Sequence, residues 1–373
     1  MTQLTELYQL KQFNDNFALG HYARVFDAFD VKHRRKVAFK VLRLEHLEHN
    51  GDIRWEYRAF PHEANLLQRL SSVPQVVELY DCGYIDAHEE VPQADTVVTF
   101  GKDTDTFEKS LETYAEQGWR PFLVLEHMPR MQNLLYLMKP NRPGARWRLP
   151  TEEGLAVAMQ FAQTLRQAHQ NHIAYMDHKL EHVYWDGAQL HIIDFNSSRS
   201  IDSRNEDAQI FRKDIHNLCV GILYPIFTGM SPLKTALKPQ PSGLSDVEAR
   251  YQDIEMLDFG VEPTLSESLQ KLLQRGAALQ IETIDEFIAE LTQVCHQNGW
   301  DFSGHPAESQ DRQARDHLRD GLRRLREGQE ALRTARDLFR DAAVIDGITP
   351  DLEDELRRLV KATNEMLNQR VIP

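Results

Sequence analysis

The chain has 373 residues, room for one large two-lobed domain or two ordinary ones with an appendage. Its 41% apolar and 27% charged residues suit a globular fold, and a formal net charge of −14 argues against nucleic acid or an anionic membrane as partner, since neither polyanion gains from an acidic surface. Three scattered cysteines, Cys82, Cys219 and Cys295, exclude a disulfide frame or zinc cluster; with a polar Met1–Leu10 and no run of roughly 18 apolar residues, the expectation is a cytoplasmic protein.

Phe17 to Asp30 reads as a strand, a turn at Gly20 and a second strand, and Val37–Leu42 as a third strand carrying Lys40. Arg54–Leu70 reads as a helix with Ala59, Leu66, Leu67 and Leu70 on its apolar side; Glu63 shares that side and needs a cation. Val76–Tyr80 and Gly83–Ile85 read as two short strands. Some thirty net-acidic residues, Asp86 to Arg120, then intervene, with a strand at Thr96–Phe100 and a helix at Thr106–Gln117. Long connections of this kind tend to be functional, so this one reads as a decoration that could serve a partner. Pro121–Met128 is a buried strand with a polar exit. Pro140 to Pro150 is a basic, proline-rich loop, and Glu152–Asn171 is a helix with Leu155, Ala158, Met159, Ala162, Leu165, Ala168 and His169 on one face.

Two acidic residues seventeen positions apart, Asp177 and Asp194, each end a short apolar run, and Lys179 follows the first by two. Strands at Val183–Trp185 and Leu190–Ile193 separate them. Two carboxylates and an ammonium directed into one cleft suit phosphoryl transfer: one acid orients a hydroxyl, one holds a metal, and the lysine neutralises the moving phosphate. After a polar stretch to Arg212, Asp214–Gly229 reads as a helix buried all round, its aspartate bracing the loop of Asp177. Ser266–Leu273 and Ile284–Cys295 are amphipathic helices. Past a linker at Asp301–Ala307, Leu318, Leu322, Leu325, Leu332, Ala335, Leu338 and Ala342 form a stripe on one arm; Gly347, Thr349 and Pro350 mark a turn into a second. This is an antiparallel helical hairpin that either packs on the preceding lobe or pairs as a coiled coil.

Taken together, these motifs resemble the eukaryotic-like serine/threonine protein kinases. Asp177-His178-Lys179 through His182 is similar to H-R-D-x-K-x-x-N, Asp194-Phe195-Asn196 to D-F-G, Val37–Lys40 to V-A-I-K, and Asp214–Gly229 to the D-x-W-S-L-G-V helix. The fifteen positions from Val25 to Lys40 match the family spacing. The resemblance implies an α+β fold of two lobes: a β-rich small lobe over 1–128 with the insertion near 86–120, a helical large lobe over 129–300, and the hairpin of 308–373 appended. It further implies a nucleotide site for ATP formed by Gly20, Val25, Ala38, Lys40, Glu63, Glu126 and Met128. Glu63 would pair with Lys40, with Glu56 the alternative. Asp177 and Lys179 are then catalytic, and Asp194 and His182 hold magnesium, or manganese. A protein substrate or partner is implied, with a homodimer through 308–373 as one form.

The chain departs from the family in five places. Gly20 alone survives of the glycine-rich loop, with Ala18 and Ala23 replacing its outer glycines. His182 replaces the metal-binding asparagine: one ion suffices, the metal differs, or His182 meets phosphate as a cation. Asn196 replaces the D-F-G glycine, where an asparagine tolerates left-handed angles. Met176 replaces the arginine that reads a phosphorylated loop. Only twenty positions separate Asp194 from Asp214, and no A-P-E docks a peptide. These departures keep two rivals open: a pseudokinase scaffold that binds nucleotide or partners without turnover, and a small-molecule kinase of the aminoglycoside phosphotransferase type. Lys179 speaks against the latter. Among His169, His172, His178, His182 and His191, no spacing matches a zinc signature, and His169 reads as a core residue bonded to backbone.

Overall fold

Alternation of apolar and polar side chains along two neighbouring strands sets the small lobe. In β3 (Ala23–Asp30) and β4 (Arg35–Leu42), Phe26, Ala28, Val37, Phe39 and Val41 point to one side and are buried. Val25, Asp27, Ala38 and Lys40 point to the other, because Val25 pairs with Lys40 and Asp27 with Ala38 in register. The computed structural model describes residues 2–13, 22–47, 52–138, 147–201, 204–232, 254–297, 309–345 and 347–368. Gly20, the linker expected at 301–307 and most of the proline-rich loop lie outside the described residues.

The strand expected to begin at Phe17 lies outside the described residues; Tyr8–Phe13, unassigned from sequence, forms a strand (β2) paired antiparallel with β3. Before it, β1 (Thr2–Gln3) and α1 (Leu4–Leu7) place Leu4, with Tyr8, on the Phe26–Phe39 side, forming a separate core. The helix α2 (Trp55–Arg69) covers the opposite side with Tyr57, Phe60, Ala64 and Leu67. Where two short strands were expected there is one, β5 (Leu79–Asp86), with register shifts between Leu79 and Asp81 and between Cys82 and Gly83. The bulges disturb the alternation and make one strand read as two.

The insertion is built into this lobe. Its strand β6 (Thr96–Gly101) pairs with β5, and β1 pairs with β6. Its helices, α3 (Thr104–Lys109) and α4 (Leu111–Glu116), lie behind α2; Asp103 caps α3 by accepting from the Thr106 amide. With β7 (Arg120–Glu126), the sheet is antiparallel throughout, in the order β1-β6-β5-β7-β4-β3-β2.

Past β7, a short α5 (Leu134–Leu137) leads to α6 (Thr151–Gln170), whose Leu155, Ala158, Phe161, Ala162 and Leu165 are buried. Then come β8 (Ile173–Ala174), the hairpin β9 (Val183–Trp185) and β10 (Leu190–Ile192), and β11 (Arg199–Ser200), which pairs with β8. The buried helix expected from Asp214 begins ten residues sooner, as α7 (Arg204–Asn217). It runs through a π turn, Leu218–Leu223, into α8 (Tyr224–Thr228) and stops at Gly229, at φ 69°. The polar first turns of α7 disguise it in the sequence. Two further helices, α9 (Glu267–Ala277) and α10 (Ile284–Gln297), complete the lobe, and Gly276 lets α9 meet the Cys219 side chain where a Cβ would lie 2.2 Å from its sulfur.

The C-terminal hairpin is α11 (Ser309–Ala343) and α12 (Pro350–Asn368), turned at Gly347 with φ 85°. Leu322, Leu325 and Gln329 share a small crevice with Arg148, Thr228 and Glu262 of the large lobe. Farther along, Leu338, Val344, Ile345 and Leu352 are exposed. No helix among the described residues is long and apolar enough to cross a membrane.

Candidate functional site

Four separate segments bring their charged groups together between the lobes. From β4, Lys40 reaches Glu63 of α2, Nζ to Oε2 at 2.7 Å, and Asp194, Nζ to Oδ1 at 2.8 Å. Glu63 is fully buried and Lys40 nearly so. Glu56, the alternative partner, lies instead with Arg54 (2.9 Å) and His46 (3.2 Å) at the start of α2. Asp177 follows β8, and its Oδ2 lies 3.0 Å from Lys179 Nζ. His182 stands between the aspartates: Nδ1 is 3.2 Å from the Asp177 carbonyl, and Nε2 is 3.3 Å from Asp194 Oδ2.

Charge dictates what this cluster can hold. Burial alone would lower the Lys40 ammonium, but Asp194 and Glu63 hold it well above the ordinary lysine range. Burial would raise Asp194, yet Lys40 and then His182 draw its carboxyl down to about 2. Burial raises Glu63, with Lys40 opposing it. Asp194 is held ionised and keeps a 24% exposed side chain.

His182 tests the fit of a divalent ion. Its Nδ1 faces a carbonyl, which only accepts, so Nδ1 carries the proton. In the neutral ring, the Nε2 lone pair then faces Asp194 Oδ2, and two acceptors at 3.3 Å require a proton or a metal ion between them. The pair fits a shared cation. Among the described residues, no group of three or more His, Cys, Asp or Glu could hold a metal alone. Any ion here draws its remaining ligands from water or phosphate, as magnesium commonly does.

The backbone of this site is held from below by Asp214. Fully buried, it accepts from the Tyr175 amide at 2.9 Å, the Met176 amide at 2.7 Å and His169 Nε2 at 2.9 Å. Burial opposes its charge, but the His169 hydrogen bond and His178 keep it below the ordinary aspartate range. His169 thus bonds a carboxylate, not the backbone expected from sequence. Asn217, one turn along α7, donates to the Met176 carbonyl at 3.1 Å. These bonds fix Met176 at φ 65°, and Asp194 sits at φ 62°: two non-glycine residues in the left-handed region, beside the charged cluster. Asn196 is not among the left-handed residues, so its tolerance of such angles is not what this position uses.

Val25 and Ala38, half-buried on the Lys40 side of the sheet, form an apolar roof, and β7 leads to Glu126 and Met128 at the edge. The Glu126 amide donates to the Glu78 carbonyl at 2.9 Å, and the intervening His127 meets Asp27 at 3.1 Å. Lys40, Glu63, Asp177, Lys179, His182 and Asp194 are thus brought together in one cluster. Val25 and Ala38 share the Lys40 side of the sheet, Glu126 and Met128 lie at and beyond the end of β7, and Gly20 lies outside the described residues. Of the five histidines near the motif, His182 meets the two aspartates, while His169 and His178 gather on Asp214.

Sequence reasoning missed Asn217, whose family position carried no assigned role, and Tyr22. The Tyr22 ring is buried, 5.6 Å from Lys40 Nζ, and its hydroxyl bonds the Asn196 side chain. Its only sequence signal is an aromatic residue two places after Gly20.

A search of curated proteins found no match. The family model described as protein kinase domain matches residues 14–224, more than half of the chain, and spans Lys40, Glu63, Asp177, Asp194 and Asp214. A two-lobed fold with this charged cleft, and a match of that extent, make the chain a member of the protein kinase family.

Proposed function

We propose that this protein transfers the γ-phosphate of ATP to a protein hydroxyl, as a serine/threonine kinase with an atypical metal site and activation segment. One observation carries the reading: a single buried ammonium, Lys40, bonded to Glu63 and to Asp194, 154 positions away, beside the Asp177–Lys179–His182 cluster. Lys40 would neutralise the α- and β-phosphates, with Val25 and Ala38 over the base and the backbone of Glu126–Met128 at its edge. Asp177 would orient the acceptor hydroxyl, and Lys179 would offset charge on the transferred group. Asp194 and His182 would hold the divalent ion, whose positive charge stabilises the phosphates when bound; the imidazole makes manganese an effective substitute for magnesium. In this reading, residues 1–128 and 129–300 are the two lobes and 308–373 serves assembly, with a second copy of the chain as partner.

A pseudokinase is the second reading, favoured by Asp194 itself: Lys40 occupies one of its oxygens and His182 faces the other. A small-molecule kinase is the third, favoured by the missing peptide-docking segment and opposed by Lys179. The purified protein, incubated with ATP and either metal and then analysed by mass spectrometry, separates them. Phosphate on serine or threonine in the native protein, reduced at least ~100-fold in Asp177→Asn with nucleotide binding retained, is the expected result. Binding without transfer to the protein leaves the pseudokinase and the small-molecule kinase, which phosphorylation of an added aminoglycoside separates, and no binding at all removes the nucleotide reading.

A further inference from the structure

Asn196 replaces a glycine of the family motif, and it uses its side chain. The amide Nδ2 donates to the Tyr22 hydroxyl, while Asn196 Oδ1 accepts from Ser197 Oγ at 2.9 Å, which orients the amide. A glycine could make neither bond. Tyr22 lies at the mouth of β3, and its carbonyl accepts from the Arg43 amide at 2.8 Å. Its ring is 5% exposed, packed edge-on against Trp55 at 5.5 Å and Phe60 at 5.8 Å, both on α2. Lys40 Nζ lies over that ring, 5.6 Å from its centroid.

Tyr22 therefore touches four parts of the site at once: the start of β3, α2, Lys40 and the segment after Asp194. The spacing at Lys40 has a consequence for any ligand. A phosphate oxygen accepting from Nζ on the ring side would lie about 2.8 Å from the nitrogen. On the line from Nζ to the ring it would then sit only about 2.8 Å from the ring centre, inside the roughly 3.5 Å at which non-bonded heavy atoms meet. The ring and a phosphate cannot share that side of the lysine.

We propose that Tyr22 and Asn196 form a latch that seats the start of β3 over Lys40, and that a triphosphate reaching the lysine must unseat Tyr22. The inference rests on the nucleotide reading above and adds a regulatory step to the same site. Only the unseated fraction is competent, so the apparent affinity for nucleotide falls by that fraction. Anything that breaks the Tyr22–Asn196 bond raises it. Because Tyr22 also packs on α2, unseating reaches the helix that carries Glu63.

The test uses the full chain and two variants, Asn196→Gly and Tyr22→Phe; the second retains the ring and removes only the hydroxyl. A fluorescent ATP analogue reports binding, and hydrogen–deuterium exchange with no nucleotide added reports the seating of residues 22–30. The latch requires both variants to bind the analogue about 2- to 10-fold more tightly, the range expected for one hydrogen bond, with faster exchange over 22–30. Unchanged exchange in both variants overturns the latch, as does weaker binding, which would make Tyr22 and Asn196 a clamp on the ligand. Absence of binding in all three proteins overturns the nucleotide reading and the unseating step with it, while exchange still decides whether the bond seats the strand.

Discussion

Asp214 accepts two backbone amides and one imidazole with no exposure to water, so its removal strands three donors in the core. Breaking a buried charged cluster from one side costs about 3–5 kcal/mol, and Asp214→Ala should lose that much in urea denaturation. Its pH dependence has a definite sign. A carboxyl held below the ordinary value of 3.8 contributes stability that is complete above that value and is lost as pH falls through the lower folded value. Asp214→Asn should therefore be less stable than the native protein near neutrality, with the gap narrowing below about pH 4; a gap that stays constant down to about pH 2 would show that the carboxylate charge is not what matters. At this scale the sequence was informative wherever chemistry fixes the residue type. A lysine, two aspartates and a bracing carboxylate were readable because each charge, once buried, needs a partner of opposite sign or a hydrogen-bond donor. Tyr22 and the His169 partner were not legible, because packing decides them and many residues would fill the same space.

The insertion between β5 and β7 shows what an element contributes beyond its boundaries. Tyr84 of β5 is fully buried and stacks with Tyr114 of α4 at 4.5 Å, meets Phe107 of α3 at 4.9 Å and stacks with Tyr57 of α2 at 6.2 Å. Its hydroxyl donates to the Phe107 carbonyl at 2.8 Å, and that of Tyr57 donates to the Trp119 carbonyl at 2.8 Å. The insertion thus braces the helix that carries Glu63. Tyr84→Ala should cost about 3–5 kcal/mol, as a large aromatic removed from a packed site does. Tyr84→Phe keeps the stack and should lose only about 1 kcal/mol for the hydrogen bond. Equal losses in the two variants, measured by urea midpoints, would place the stabilisation in the hydroxyl and not in the aromatic cluster. The strand and one helix of this segment were legible from periodicity; the break of that helix into α3 and α4 at Ser110, and the segment's purpose, were not, because local pattern carries no record of what lies behind an element. The same limit explains α7: its first turns are polar, and only its burial of Ile210 and its stacking of Phe211 on His169 reveal the helix start.

The whole molecule joins a compact pair of lobes to a long helical arm, and the two ends of that arm differ. Near Leu322 and Leu325 the arm lies against the large lobe beside Arg148 and Glu262, whose buried ion pair, 3.1 Å long, forms part of the crevice. Around the turn, Leu338 is 63% exposed, Val344 79% and Ile345 60%, with Leu352 opposite them at 48%. Single exposed leucines are ordinary, and four exposed apolar side chains around one hairpin turn are what the proposed pairing of two copies would cover. A second copy would present the same surface, and a symmetric pairing of like patches is the commonest way such a surface closes. The native protein should therefore self-associate in sedimentation measurements as its concentration rises, and the double variant Leu338→Asp, Ile345→Asp should remain a monomer. Because those side chains touch solvent, the variant should melt like the native monomer, within the about 0.5 kcal/mol expected of surface changes. Self-association that survives both substitutions would move the interface elsewhere, and a variant that unfolds would show that the turn packs on its own lobe.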